Sequence, residues 1–251
     1  MQGGTLELLQ LEVLLGERPS SALEEALGLR ERAASESASL ALELLEALDD
    51  AGCLRTALAD RVSEAARGRQ RPDGSWHALD SLQVASSTSA AIGANHALFL
   101  TAMLGAFLGR TARSSATALH KAGSYLAAHW SPELVQGGSW HAICGYAHFF
   151  SNVPHEISDS VLQWCGRELE RAFRTGRFDV VRAARIFTLC DAHALPGAKL
   201  DARELLPALL RARSVDGGWP AVATPMRVID TFWAAQALVK LRARSWSRAA
   251  E

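Results

Sequence analysis

The sequence predicts an all-α fold, and three observations predict it. Leu, Ala, Arg and Glu dominate the 251 residues while β-branched residues are sparse, a composition that favours helix at most positions. Apolar residues recur at spacings of three and four through almost every segment, with Gly, Pro or Ser clusters between them, which is the pattern of helices joined by turns. The third observation is a repeated phrase: Asp73-Gly74-Ser75-Trp76, Gly137-Gly138-Ser139-Trp140 and Asp216-Gly217-Gly218-Trp219, each where one helical pattern stops and another is about to start. Glycine admits the positive φ of a sharp reversal, and the indole packs back onto the helix ends. Three copies predict a repeated helix, turn, helix unit.

Taken in order, the periodicity places helices at 5–16, 20–33, 36–50, 53–68, 86–109, 113–130, 142–152, 156–174, 179–194, 200–213 and 229–244. Segments 86–109 and 229–244 are rich in Ala and apolar all round, as buried helices are, whereas 53–68, 156–174 and 200–213 carry Arg and Glu on one face. Alternation of the two kinds predicts an inner and an outer ring. A second repeat points the same way: Asp179 precedes Ala183-Ala184 as Asp230 precedes Ala234-Ala235 and Ser86 precedes Ala90-Ala91. These read as three equivalent inner helix starts, with an acid or hydroxyl capping free amides and alanines one turn later admitting close approach.

About half of the chain is apolar (49%), enough for one substantial core, so a single domain over 1–251 is expected, with N-terminal helices in 1–52 and the repeat-bearing region in 53–244. The net charge of -1 steers the chain toward neither nucleic acid nor an anionic membrane surface. The longest apolar stretch, Ala97 to Leu108, is shorter than a membrane span, and the start has no basic, apolar leader pattern. Cys53, Cys144, Cys165 and Cys190 are widely spaced and read as reduced thiols of a cytoplasmic protein.

Gln70-Arg71-Pro72-Asp73-Gly74-Ser75-Trp76 and Arg213-Ser214-Val215-Asp216-Gly217-Gly218-Trp219 resemble the Gln-Trp repeats of triterpene cyclases of the squalene-hopene cyclase kind, with Gln136-Gly137-Gly138-Ser139-Trp140 a looser copy. The resemblance covers about residues 53–244 and implies the α/α toroid shared by those cyclases, the β-domains of class II diterpene cyclases and the β subunits of protein prenyltransferases. The fold it implies is a single (α/α)6 toroid-like barrel of inner and outer helices. In the cyclases an Asp-X-Asp-Asp-Thr motif follows a Gly-Gly-Trp turn, and its middle Asp donates a proton. The matching stretch here is Arg227-Val228-Ile229-Asp230-Thr231, with Ile229 at the donor position. Asp230 is then either a carboxyl that has taken over as acid, its pKa raised by apolar walls, or a helix cap. The prenyltransferase zinc set of Asp, Cys and His is not matched.

Other residues carry candidate chemistry. His141, Cys144 and His148, at offsets of three and seven, fall on one helical face and could hold zinc, or could be packed cavity-wall residues. Cys190-Asp191-X-His193 closes its helix and reads as structural. Asn95 and His96 sit in an apolar helix and are expected to face a polar partner or a cavity, where His96 could serve as base. Among Arg167, Arg171, Arg174, Arg177, Arg182 and Arg185, most read as a solvated face, while Arg182 is singled out as an inner-helix partner of Asp179. Phe99, Phe107, Tyr146, Phe149, Phe150, Phe232 and Trp233 on inner helices could line a cavity and stabilise cations.

The expected function is a cofactor-independent cyclase or isomerase acting on a small apolar molecule, a terpenoid or polyene. Its catalytic candidates are Asp230, Asp179, His96 and His148; its substrate contacts are Asn95, Phe99, Tyr146, Phe149, Arg182, Phe232 and Trp233. Two alternatives stand beside it: a zinc-dependent, prenyltransferase-like transferase, and a non-catalytic toroid binding protein that has lost the acid motif.

Overall fold

The structure, a computed structural model, describes residues 21–78, 87–219 and 224–247. The helix expected at 5–16 and the proposed cap Ser86 lie outside them. Every regular element among the described residues is helical, and the one β-bridge joins Ala194 to Asp201. The chain divides into two compact units, Met1–His129 and Trp130–Glu251.

The first unit contains α1 (Ser21–Glu36), α2 (Ala38–Asp50), α3 (Ala57–Gly68), α4 (Ser87–Arg110) and α5 (Ala116–Ala128). Helix α2 buries Ala41, Leu42, Leu44, Leu45 and Leu48, and α4 is buried over most of Ala97 to Leu108. By contrast α3 and α5 bury one stripe each, centred on Val62 and Ala66 and on Ala122 and Leu126. The C-terminal ends of α2 and α4 meet where Arg110 pairs with buried Asp49 at 2.6 Å, so the two buried helices run in the same direction. Asp49 stands at the negative end of its own helix dipole, and Arg110 offsets the charge.

The second unit contains a 3-10 turn (Pro132–Leu134), α6 (Trp140–Asn152), α7 (Ser158–Arg174), α8 (Val180–Leu189), α9 (Ala202–Ala212) and α10 (Thr224–Ser247). The alternation recurs. Residues Ile143 to Phe150 of α6 and Ala183 to Leu189 of α8 are buried without interruption, whereas α7 and α9 bury stripes led by Val161, Cys165 and Leu169 and by Leu205 and Leu209. Asn152 at the end of α6 donates to the carbonyl of Leu189 at the end of α8 at 3.5 Å. The C-terminal ends of these two buried helices therefore lie together. Side-chain caps fix several starts: Thr56, Ser115, Ser139, Asp179 and Asp201 each accept a backbone N–H from three residues on, which satisfies amides that the helix leaves free.

Two boundaries differ from expectation by five residues. Helix α10 begins at Thr224 rather than 229. Pro225 has no amide hydrogen to lose and its fixed φ suits a first turn. Asp230 consequently sits in the second turn of α10 and is not its cap. Helix α8 ends at Leu189 rather than 194: Asp191 adopts a left-handed φ of 52°, and Ala192 donates back to the Phe187 carbonyl, closing the helix end.

The Trp turns of the two units are built alike. Trp76 N–H donates to the Thr101 hydroxyl of α4, and its indole N–H to the Ala66 carbonyl of α3. Trp219 N–H donates to the Thr231 hydroxyl of α10, and its indole N–H to the Leu209 carbonyl of α9. Arg71 and Ser214 donate to the carbonyls of Ser75 and Gly218. Asp73 and Asp216 accept the amides of those same residues, and Gln70 and Arg213 reach the carbonyls of Gly74 and Gly217. The third turn, the looser copy, is built differently. Gly137 takes the place of the accepting Asp, so no carboxylate organises the turn. Trp140 is the first residue of α6, and its buried indole N–H has no acceptor among the described residues.

The two equivalent turns differ in how tightly they are covered. Gly74 (φ 93°) lies against the backbone carbonyl of Lys121 on α5, so a Cβ there would collide with main chain; Gly217 (φ 88°) has only the flexible Arg213 guanidinium nearby. Gly74→Ala is expected to cost about 3 kcal/mol in urea unfolding, combining a left-handed strain with a rigid clash. Gly217→Ala should cost about 1 kcal/mol, the conformational penalty alone.

Candidate functional site

The candidate site lies in the second unit, where α8 and α10 pack together. The two helices carry the Asp-to-Ala-Ala repeat, and the structure sets the copies beside each other in register. Asp179 and Arg182, in the first turn of α8, act electrostatically on Asp230 of α10. Farther along both helices, Arg185 donates to the Gln236 side-chain oxygen at 2.9 Å. Contacts that advance together along both chains mean that α8 and α10 run in the same direction.

Asp230 is 7% exposed, and no hydrogen bond to its carboxylate occurs among the described residues. Burial raises its pKa above the ordinary carboxylate value, the Asp179 carboxylate raises it further, and the Arg182 guanidinium opposes both. Asp179 is exposed and caps α8 by accepting the Arg182 backbone N–H at 2.8 Å. Arg182 is also exposed.

The buried arginine is Arg185, 1% exposed, which corrects the choice of Arg182 as the inner-helix cation. Its guanidinium lies 5.0 Å from the ring centre of Trp233, one helical turn beyond Asp230. A permanent charge in the interior needs such partners. Trp233 is stacked on Trp140 with centroids 6.4 Å apart and planes 16° from parallel, and both indoles are half-buried. Arg185, Gln236 and Trp140 were not foreseen as site residues. The signal was present: the register that aligns Asp179 with Asp230 also aligns Arg185 with Gln236.

The remaining arginines are exposed and most are engaged locally. Arg171 pairs with buried Glu168 at 2.6 Å, Arg174 bridges Glu170 and Glu204, and Arg167 lies over the Trp164 ring. They form no anion clamp.

The other predicted residues are placed as follows. Asn95 and His96 belong to the first unit and are exposed on α4. Phe99, on the same helix, is half-buried. Tyr146 and Phe149 are buried on α6 in an aromatic cluster: Tyr146 stands 5.0 Å from Trp130 and 6.1 Å from Phe150, and Phe149 meets Phe150 edge-on. Phe232 is half-buried, on the side of α10 away from Asp230. His148 is fully buried on α6.

The zinc face does not assemble. Cys144 and His148 are buried while His141 is exposed at the start of α6, and among the described residues no three His, Cys, Asp or Glu side chains are grouped to hold a metal. Seven residues advance a helix by about 10 Å, so His141 and His148 share a face but cannot share an ion that needs ligands about 2 Å away. Cys165 and Cys190 are buried and uncrosslinked, and burial pushes the Cys165 thiol up, with Cys190 adding to the shift. No helix among the described residues is long and apolar enough to cross a membrane.

Compared with known proteins, the chain matches no family, no curated protein and no solved structure.

Proposed function

We propose that this chain is an acid-initiated isomerase or cyclase of a small apolar alkene, built on an α/α toroid, with Asp230 as proton donor. The observation that carries the reading is the Asp230 carboxyl: buried, without a hydrogen-bonding partner among the described residues, and facing a second carboxylate. Such a carboxyl holds its proton to higher pH than an ordinary one, as a general acid must. Support for the toroid comes from the alternation of buried and one-sided helices, from buried helices that run the same way within each unit, and from two Trp turns with matching hydrogen bonds.

The chemistry needs no cofactor. Asp230 transfers its proton to one alkene carbon, forming a C–H bond at the expense of the π bond. The resulting cation rearranges or closes a ring and loses a proton from another carbon to solvent, and Asp230 regains a proton from water. Trp140 and Trp233 supply an aromatic wall one turn away. Arg185 already occupies a face of Trp233, which leaves Trp140 as the better cation stabiliser.

The test is conversion of squalene, farnesol and geranylgeraniol in heavy water, followed by mass spectrometry. A product isomeric with its substrate and carrying one solvent-derived deuterium is expected from the unaltered chain and not from Asp230→Asn. Recovery of all three unchanged would favour the non-catalytic binding reading, and labelled product from Asp230→Asn would remove Asp230 as the acid.

A further inference from the structure

The three Trp turns spend their indole N–H groups differently. Trp76 and Trp219 each donate to a carbonyl of the preceding helix, those of Ala66 and Leu209. In both cases the acceptor stands ten residues upstream. Trp130, at that distance from Trp140, is not helical, and the Trp140 N–H is buried without an acceptor among the described residues. Buried donors are nearly always satisfied in folded chains, so one that is not calls for a partner from outside the chain.

We propose that Trp140 is a specificity-determining residue of the Asp230 site, its N–H binding an acceptor oxygen, hydroxyl or carbonyl, on the small apolar molecule held there. The proposal rests on the reading of that site as a place for such a molecule. Trp140 is stacked on Trp233 with centroids 6.4 Å apart, and Trp233 stands one turn beyond Asp230, where side chains are neighbours. The Trp140 N–H and the Asp230 carboxyl are therefore separated by on the order of 10 Å, which one extended isoprenoid chain spans. Asp230, 7% exposed, is itself without a hydrogen-bonding partner among the described residues. Two unsatisfied polar groups thus flank one aromatic wall. The Trp140 indole is half-buried, so a rotation about its side-chain bonds presents the N–H, closed to solvent as the ring stands, to a ligand.

The two groups divide the work by their chemistry. An indole N–H donates and neither accepts nor ionises, so it orients an oxygen at every pH and takes no part in proton transfer. Asp230 supplies the proton to carbon. A hydrocarbon without the oxygen leaves the donor unsatisfied in the complex, and discrimination against it comes from that loss.

Equilibrium dialysis of farnesol and of the hydrocarbon with the same skeleton but no hydroxyl, in one fixed detergent, tests the proposal. The Kd of the hydrocarbon divided by that of farnesol should fall about tenfold in Trp140→Phe, through weaker binding of farnesol alone. Trp219→Phe loses a donor that the fold itself uses and should leave the ratio as it is. Asp230→Asn should also keep the ratio while losing turnover, so the binding and acid readings fail separately. A ratio unchanged by Trp140→Phe, or lowered equally by Trp219→Phe, overturns the role of Trp140 and leaves Asp230 as the acid. An unaltered chain that binds neither compound overturns the site reading and this proposal together.

Discussion

Replacing Trp76 by alanine is expected to cost about 4 kcal/mol, a loss large enough to unfold a marginally stable unit. The indole is 0% exposed, and truncation removes its packing, leaves a cavity between α3 and α4, and removes the 2.7 Å hydrogen bond to the Ala66 carbonyl, which keeps only the Arg69 N–H. Trp219, 4% exposed with the same two hydrogen bonds, should cost about 3 kcal/mol on truncation. Phenylalanine at either position retains most of the ring and loses only the donor, for about 1 to 2 kcal/mol. Trp140→Ala should cost less than Trp76→Ala or Trp219→Ala, about 1 to 2 kcal/mol, because that side chain is half-buried and its N–H has no acceptor to strand among the described residues. Urea unfolding of the five variants orders them. Equal losses at Trp76, Trp140 and Trp219 would restore the three turns to equivalence.

That expected order shows what the sequence could and could not reveal. Gly-X-Trp marks a turn wherever it falls, since glycine supplies the reversal and Trp the anchor. Whether the turn is organised depends on the residue before the glycine: Asp73 and Asp216 bind the amides of Ser75 and Gly218, and Gly137 cannot. The distinction is legible in the sequence, where the third copy is the looser one. Helix existence was readable because the apolar spacing repeats, and the described helices fall where periodicity places them. Helix ends were less so, as α8 shows: its pattern continues past Leu189, and only the left-handed Asp191 stops it.

The site was legible at one end only. Asp179 and Asp230 stand out in the sequence because each precedes a pair of alanines. Their meeting depends on α8 and α10 being neighbours, which periodicity does not specify. Arg185 looked like one more arginine in a basic run. Its burial follows from its helical position: one turn after exposed Arg182, it falls on the stripe shared with Val181 and Thr188, where Gln236 and Trp233 receive it.

Asp230→Asn is expected to separate stability from function. The native pKa of Asp230 is raised above the unfolded value of 3.8, so folding binds its proton more tightly. Its contribution to stability is full below the unfolded pKa and is lost as pH rises through the raised native value. Asparagine is uncharged at every pH and suffers no such loss. The variant should therefore melt higher than the unaltered chain at pH 7, and the difference should shrink as pH falls and vanish below about pH 3.8. Asp179→Asn should shrink the loss and end it at lower pH by removing the facing carboxylate, and Arg182→Ala should enlarge it and carry it to higher pH by removing the opposing cation. Turnover in the proposed reaction should fall at least about a hundredfold in Asp230→Asn, as loss of a general acid does. A merely structural Asp230, bound to partners that favour its ionised form, predicts the opposite slope: asparagine would destabilise the chain at pH 7 and become harmless in acid. Thermal unfolding of the two proteins across pH 3 to 8 distinguishes the cases without any knowledge of the substrate. The sign of that difference decides whether the burial of Asp230 is a cost the fold bears in order to keep a proton in place.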